Sequence, residues 1–248
     1  MCGRYTLVAR PEEVQALFDA LEAHQAPPRY NIAPSQPILI VREDQPGVRR
    51  LVLVRWGLIP GWAKDPSKLA NLINARSETA IDKPSFRTAM RHKRCLIPAS
   101  GFYEWQKRKG TRSQPYLIRP SEGDLVAFAG IWEDWTDPDG GVIETAAILT
   151  TAANATLSPI HDRMPAVVQP EDFALWLDTR SVDAKTATSI LRPAPEDTFE
   201  AVAIGSRVNA VGQDDPGIQN PVDPVSSPPA DEPAPDSKPD KGQFDLFD

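Results

Sequence analysis

Apolar and polar positions change period several times along the chain, and each change marks a predicted element. Residues 1–8 predict a short strand at the chain terminus. Pro11 then opens a helix, at a position where its missing N–H costs nothing. Val14, Leu17, Phe18 and Leu21 fall at i, i+3, i+4 and i+7, so this helix has one apolar face. Two β-rich runs follow, 37–41 and 50–56, parted by a loop containing Pro46-Gly47. The Gly and Pro content of WGLIPGWAKDP, from Trp56 to Pro66, predicts a shaped loop. Short helices are predicted at about 71–80 and 84–91. From Cys95 to Thr151 the pattern turns to strands: CLIPASGFYEW, PYLIR, LVAFAGIWE and VIETAAILTT are β-branched or aromatic and end at Gly, Pro, Asp or Ser. Pro170-Glu171-Asp172 starts another helix with Phe173, Trp176 and Leu177 on one face. A further helix is predicted over 183–191, and 199–204 reads as a closing strand. No internal repeat is present. The elements add up to an α+β fold. A single domain is built on a curled, mostly antiparallel, open barrel-like sheet with peripheral helices.

Composition places the chain among globular proteins and then divides it. It has 248 residues, 41% apolar and 25% charged. No apolar run approaches the roughly 20 residues a membrane helix needs, and MCGRYTLVAR lacks the basic and apolar regions of a signal peptide. A cytoplasmic protein is therefore expected, with no membrane partner. The net charge of −7 is uneven. Residues 213–248 hold nine acids and two lysines, which leaves 25 acidic and 25 basic residues in 1–212. That C-terminal stretch also holds 8 of the 26 prolines. Such a composition cannot bury a core, so a domain over 1–212 and a disordered acidic tail over 213–248 are expected. Cys2 and Cys95 form no disulfide framework or CxxC pair. His24, His92 and His161 have no metal-ligand spacing, so neither a metal nor a cofactor is expected.

Cys2 is the first chemical candidate, because of its position. Removal of Met1 would leave a terminal Cys with an amine and a thiol on adjacent carbons. The amine has a pKa near ~8, so part of it is unprotonated at neutral pH. It can condense with an aldehyde to an imine, and the thiol can close a five-membered thiazolidine. Glu104 lies in GFYEW among aromatic residues, where a carboxyl tends to have a raised pKa and can shuttle protons. His161, in the loop SPIHDRMP, suits acid–base work near neutral pH. Asn74 offers donor and acceptor, and Arg76 offers a fork for a phosphate. Arg4, Trp62 and Trp105 add a cation and two flat rings, a combination that suits stacking of single-stranded bases. Basic runs at 87–94 and 107–109 can track a phosphate backbone or face water.

These pieces gain meaning as a set. MCGRY at the N-terminus, RYNIAPSQ at 29–36, WGLIPGW at 56–62, NARSET at 74–79, GFYEW at 101–105 and PIHDRMP at 159–165 occur in this order. The sequence closely resembles the SRAP (SOS-response-associated peptidase) family of abasic-site processing proteins, over about residues 2–210. The resemblance implies covalent trapping of the ring-opened abasic sugar in single-stranded DNA by Cys2. It implies that Asn74 hydrogen-bonds the adduct, that Glu104 handles protons in imine formation, and that His161 aids ring opening and reversal. It implies that Arg4, Arg76, Trp62 and Trp105 hold the strand. The family name also implies autoproteolytic release of Met1, and the imine stage opens a lyase route by β-elimination. A monomer that works at the nucleoid is expected. Two other classes stay open on the residues themselves: an N-terminal-nucleophile amidohydrolase and a non-catalytic single-strand binding module. Beyond the domain, the chain ends in QFDLFD. Gln243, Leu246 and Phe247 match the outline of the pentapeptide by which bacterial replication and repair proteins dock on the sliding clamp.

Overall fold

The computed structural model describes residues 2–108, 112–137 and 139–224. The docking motif of Gln243, Leu246 and Phe247 lies outside the described residues, as do Met1 and Lys109. The first half of the chain supplies β1 (Tyr5–Leu7), α1 (Pro11–Phe18), β2 (Arg29–Ile32), β3 (Pro37–Gln45), β4 (Val48–Trp56), β5 (Asn74–Arg76), α2 (Ser77–Ala80) and α3 (Arg87–His92). Strands then dominate: β6 (Arg94–Ala99), β7 (Gly101–Gln106), β8 (Gln114–Pro120), β9 (Val126–Thr136) and β10 (Val142–Ala152). Two short strands, β11 (Arg163–Pro165) and β12 (Val167–Val168), precede α4 (Phe173–Leu177), α5 (Ala184–Thr188) and β13 (Phe199–Ala203). The fold is α+β. No helix among the described residues is long and apolar enough to cross a membrane.

The curl expected of the sheet goes as far as closure. Strands β10, β4, β3, β6 and β9 pair in that order and β9 pairs back to β10, which makes a five-stranded barrel. Only the β10–β4 step in this ring is parallel. Alternation along β3 shows how the barrel strands serve two cores. Ile38 and Ile40 belong to one buried cluster, Leu39 and Val41 to another. The second cluster is covered by α1, α3 and α4 through Val14, Phe18, Met90, Phe173 and Trp176. The first faces a five-stranded antiparallel sheet, β13-β8-β7-β1-β2, through Tyr5, Phe102, Ile118 and Phe199. Crowding there explains Gly130: a Cβ would sit 2.8 Å from Ile97 Cδ1 and 2.9 Å from Cys95 Sγ. Pro46-Gly47 is the two-residue turn of the β3–β4 hairpin, with Gly47 at φ +72°.

Several sequence expectations are corrected. The helix predicted over 71–80 is helical only from Ser77. Asn74–Arg76 instead pairs in parallel with Ile148–Thr150, and Trp56 Nε1 donates to Ile73 O at 2.9 Å. A ladder with a barrel strand outweighs weak local helix preference in so short a segment. Leu21 is not on the face of α1, because Asp19 at φ 49° ends that helix, and Leu21 is exposed. Arg94 does not belong to a basic surface run. It is buried and donates to the carbonyls of Met90, Trp176, Asp178 and Val182. The chain also stays packed beyond residue 212. Ile218 is buried, Asp214 binds β2, and Val222 N donates to Ala203 O. A few anchors in a polar stretch suffice for this, and composition averages them away.

Candidate active site

Asn74 and Glu104 come to Cys2 from distant parts of the chain, and His161 acts on Glu104. Cys2 is fully buried just ahead of β1, which lies between β2 and β7. The β1–β7 pairing sets Tyr5 opposite Phe102, and Tyr103 N donates to Arg4 O at 2.9 Å. Glu104 follows on β7 and is 4% exposed. Its flanking residues point to the other face. There Tyr103 Oη donates to Tyr30 O, and Trp105 Nε1 donates to Asn209 Oδ1. Asn74, on β5, donates from Nδ2 to the Cys2 carbonyl at 2.7 Å. Its buried Oδ1 has no hydrogen-bond partner among the described residues, so an acceptor stands unused beside Cys2.

His161 comes from the loop between β10 and β11. Its Nδ1 lies 3.0 Å from both the Arg163 backbone nitrogen and Asp162 Oδ1. Two contacts hold this loop from outside. Gln106 Nε2 donates to Pro159 O, and Arg163 makes a bidentate pair with Glu78 at 2.7 and 2.9 Å. Arg163 and Glu78 were not singled out from the sequence, although both lie in the PIHDRMP and NARSET blocks. A charged pair spaced by more than eighty residues leaves no local signal.

Electrostatics link the same groups. Burial pushes the Glu104 carboxyl above its ordinary range, while His161 pulls it partly back. Burial first, and the Glu104 charge second, push the Cys2 thiol far up. The site thus disfavours a standing thiolate and favours a carboxyl able to change protonation state. Among the described residues no group of three or more His, Cys, Asp or Glu is gathered to hold a metal ion.

The four residues expected to hold a strand differ in setting. Trp62 is 57% exposed and donates from Nε1 to Pro84 O; Arg76 is exposed. Trp105 is half-buried on Asn209. Arg4 is half-buried, with Nη1 donating to Asn31 Oδ1 and Val208 O, both at 2.8 Å. It therefore has a structural role that the sequence does not reveal, because its partners lie up to 204 positions away.

A family model described as SOS response associated peptidase (SRAP) matches residues 1–211. The chain belongs to the SRAP family. This SRAP chain is 40% identical to abasic site processing protein YoqW of Bacillus subtilis, over 88% of this chain and 98% of that protein. It is 34% identical to abasic site processing protein HMCES of Gallus gallus, over 90% of this chain and 78% of that protein. Its fold matches a crystal structure of a Bacteroides thetaiotaomicron protein with a TM-score of 0.80 and 25% identity. That match covers 89% of the SRAP chain and all of the other.

Proposed function

We propose that this protein processes abasic sites in single-stranded DNA by covalent capture at Cys2. The observation that carries the reading is the convergence on Cys2 of Asn74 and Glu104, with His161 acting electrostatically on Glu104. The relatives' names, which say abasic site processing, support the substrate class.

Removal of Met1 turns the backbone nitrogen of Cys2 into a free amine. That amine attacks C1′ of the ring-opened sugar, and Glu104 accepts the proton it loses. Loss of one water gives the imine. The Cys2 thiol then adds across the C=N bond, sulfur to carbon and proton to nitrogen, and closes the thiazolidine. Because burial disfavours the thiolate, sulfur adds after the carbon is already tethered, where proximity replaces nucleophilicity. Asn74 holds the Cys2 carbonyl and offers Oδ1 to a sugar hydroxyl. His161 moves protons in ring opening and in reversal. Release of Met1 by this same centre, and β-elimination from the imine, belong to the reading as side activities. Arg4, Arg76, Trp62 and Trp105 hold the strand, and the protein acts as a monomer. The motif of Gln243, Leu246 and Phe247 would tether it to the sliding clamp.

The test is a denaturing gel with an abasic oligonucleotide. Wild type should give a heat-stable adduct, and His161→Ala should change transfer to a competing strand more than affinity for it. A wild-type protein with no adduct, but with activity on a glutamine-like amide, would replace this reading with an amidohydrolase.

A further inference from the structure

The RYNIAPSQ block has no part in the chemistry above, yet its residues are heavily bonded. They hold the chain from residue 204 to 222. The Asp214 carboxylate accepts from Arg29 Nε at 2.5 Å, Tyr30 N at 2.5 Å and Asn31 N at 2.8 Å. Asn31 is fully buried, and its Nδ2 donates to the carbonyls of Val208, Ala210 and Gln213. Arg207 staples the turn by donating to Gln213 and Asp215. Gln219 Nε2 reaches Tyr103 Oη at 2.8 Å and Thr6 Oγ1 at 3.2 Å, which ties the segment to β7 and β1. Val208 and Ile218 are buried with Tyr103, Leu117 and Ile204 in a small core of their own. Part of this assembly, including Asp214, Ile218 and Gln219, lies beyond the 1–211 matched by the family model.

Two of its contacts reach groups that the proposed function assigns to DNA. Asn31 Oδ1 takes Arg4 Nη1, which also donates to Val208 O. Asn209 Oδ1 takes the indole N–H of Trp105 at 2.7 Å. Arginine has high rotamer entropy, and a guanidinium fixed at one nitrogen has its plane set before a ligand arrives. An indole fixed at Nε1 likewise keeps its ring face in one orientation.

We propose that residues 204–222 form a strap that presets Arg4 and Trp105 as a binding surface for single-stranded DNA, with Asn31 and Asn209 as positioning residues. This rests on the reading of Arg4 and Trp105 as strand contacts. Asn31 then acts on DNA through Arg4 and, by holding the strap that carries Asn209, through Trp105, whereas Asn209 acts only through Trp105.

The test uses the full chain and a labelled, undamaged single-stranded oligonucleotide. Asn31→Ala leaves the net charge unchanged. It should still weaken binding about tenfold and reduce the slope of log K against log salt by about 0.7, the loss of one phosphate contact. Adding it to a variant that already carries Arg4→Ala and Trp105→Ala should weaken binding no further, and the same should hold for Asn209→Ala added to Trp105→Ala. On an abasic strand, the loss should fall on the half-saturating DNA concentration rather than on the saturated rate of adduct formation. Additive losses in either combination, or weaker binding with an unchanged salt slope for Asn31→Ala, would overturn the strap's role. Should Asn31→Ala not fold, the exposed Asn209→Ala and its cycle with Trp105→Ala decide the matter. Arg4→Ala and Trp105→Ala binding like wild type would overturn the contact reading, and the strap's role with it.

Discussion

Glu104 is the side chain on which the proposed proton transfers turn, and its environment works against its own charge. Burial raises its pKa above the ordinary 4.5. A base acts only when ionised, so the rate of adduct formation should climb as pH rises through that raised value. Glu104→Gln should remove this lower limb, leave the one set by the Cys2 amine near ~8, and slow formation by about 10²–10⁴-fold, as measured by single-turnover gels across pH. The sign for stability is opposite. With the folded pKa raised, Glu104 imposes no penalty below the unfolded value and destabilises as pH rises through the folded one. Glu104→Gln should therefore melt no lower than wild type at neutral pH; a clear drop in Tm would contradict the burial account. Asn74→Ala should slow formation by roughly 5–10-fold, the equivalent of one neutral hydrogen bond of ~1 kcal/mol. An unchanged rate would remove Asn74 from the site. Six short blocks in order group Cys2, Asn74, Glu104 and His161 as candidates, and the structure brings Asn74 and Glu104 to Cys2. The packing role of Arg4 is not legible in those blocks, since its partners are a buried Asn and a distant carbonyl.

At the scale of elements, the β-branched and aromatic runs of the 95–151 region form strands β6 to β10, as their composition and their Gly, Pro, Asp and Ser boundaries predict. β5 escaped notice because its stability comes from a parallel ladder with β10, and a three-residue strand has no period of its own. Arg94 escaped for a related reason: a charged residue heading a strand looks exposed until its four carbonyl partners are brought together. Arg94→Ala should lower unfolding free energy by roughly 3 kcal/mol or more, since buried carbonyls lose a charged donor. Urea titration showing a loss under about 1 kcal/mol would mean that water replaces the guanidinium. The same reasoning applies to the segment after 212. Its polar, Pro-rich composition predicts a tail, whereas Asp214, Ile218 and Gln219 anchor it to β2 and β7.

For the molecule as a whole, strand binding on the proposed reading has to rest on local contacts. Positive charge does not dominate a domain with 25 acidic and 25 basic residues, so affinity must come from a few placed contacts. Single strands should bind more tightly than intact duplex, with affinity falling as salt rises. Equal binding to duplex in a fluorescence titration would contradict this. The C-terminal motif adds a separate expectation. A peptide of residues 239–248 should bind a bacterial sliding clamp with micromolar affinity, and Leu246→Ala with Phe247→Ala should abolish it; calorimetry without a wild-type signal would reject the tether. The central claim concerns Cys2, and mass spectrometry of the N-terminal peptide after reaction with an abasic oligonucleotide tests it most directly. The account predicts a peptide beginning at Cys2 that carries the sugar with loss of one water, its thiol no longer open to alkylation, and no stable adduct from Cys2→Ser. A stable cross-link on a lysine, or on a Cys2 whose thiol still alkylates, would contradict it.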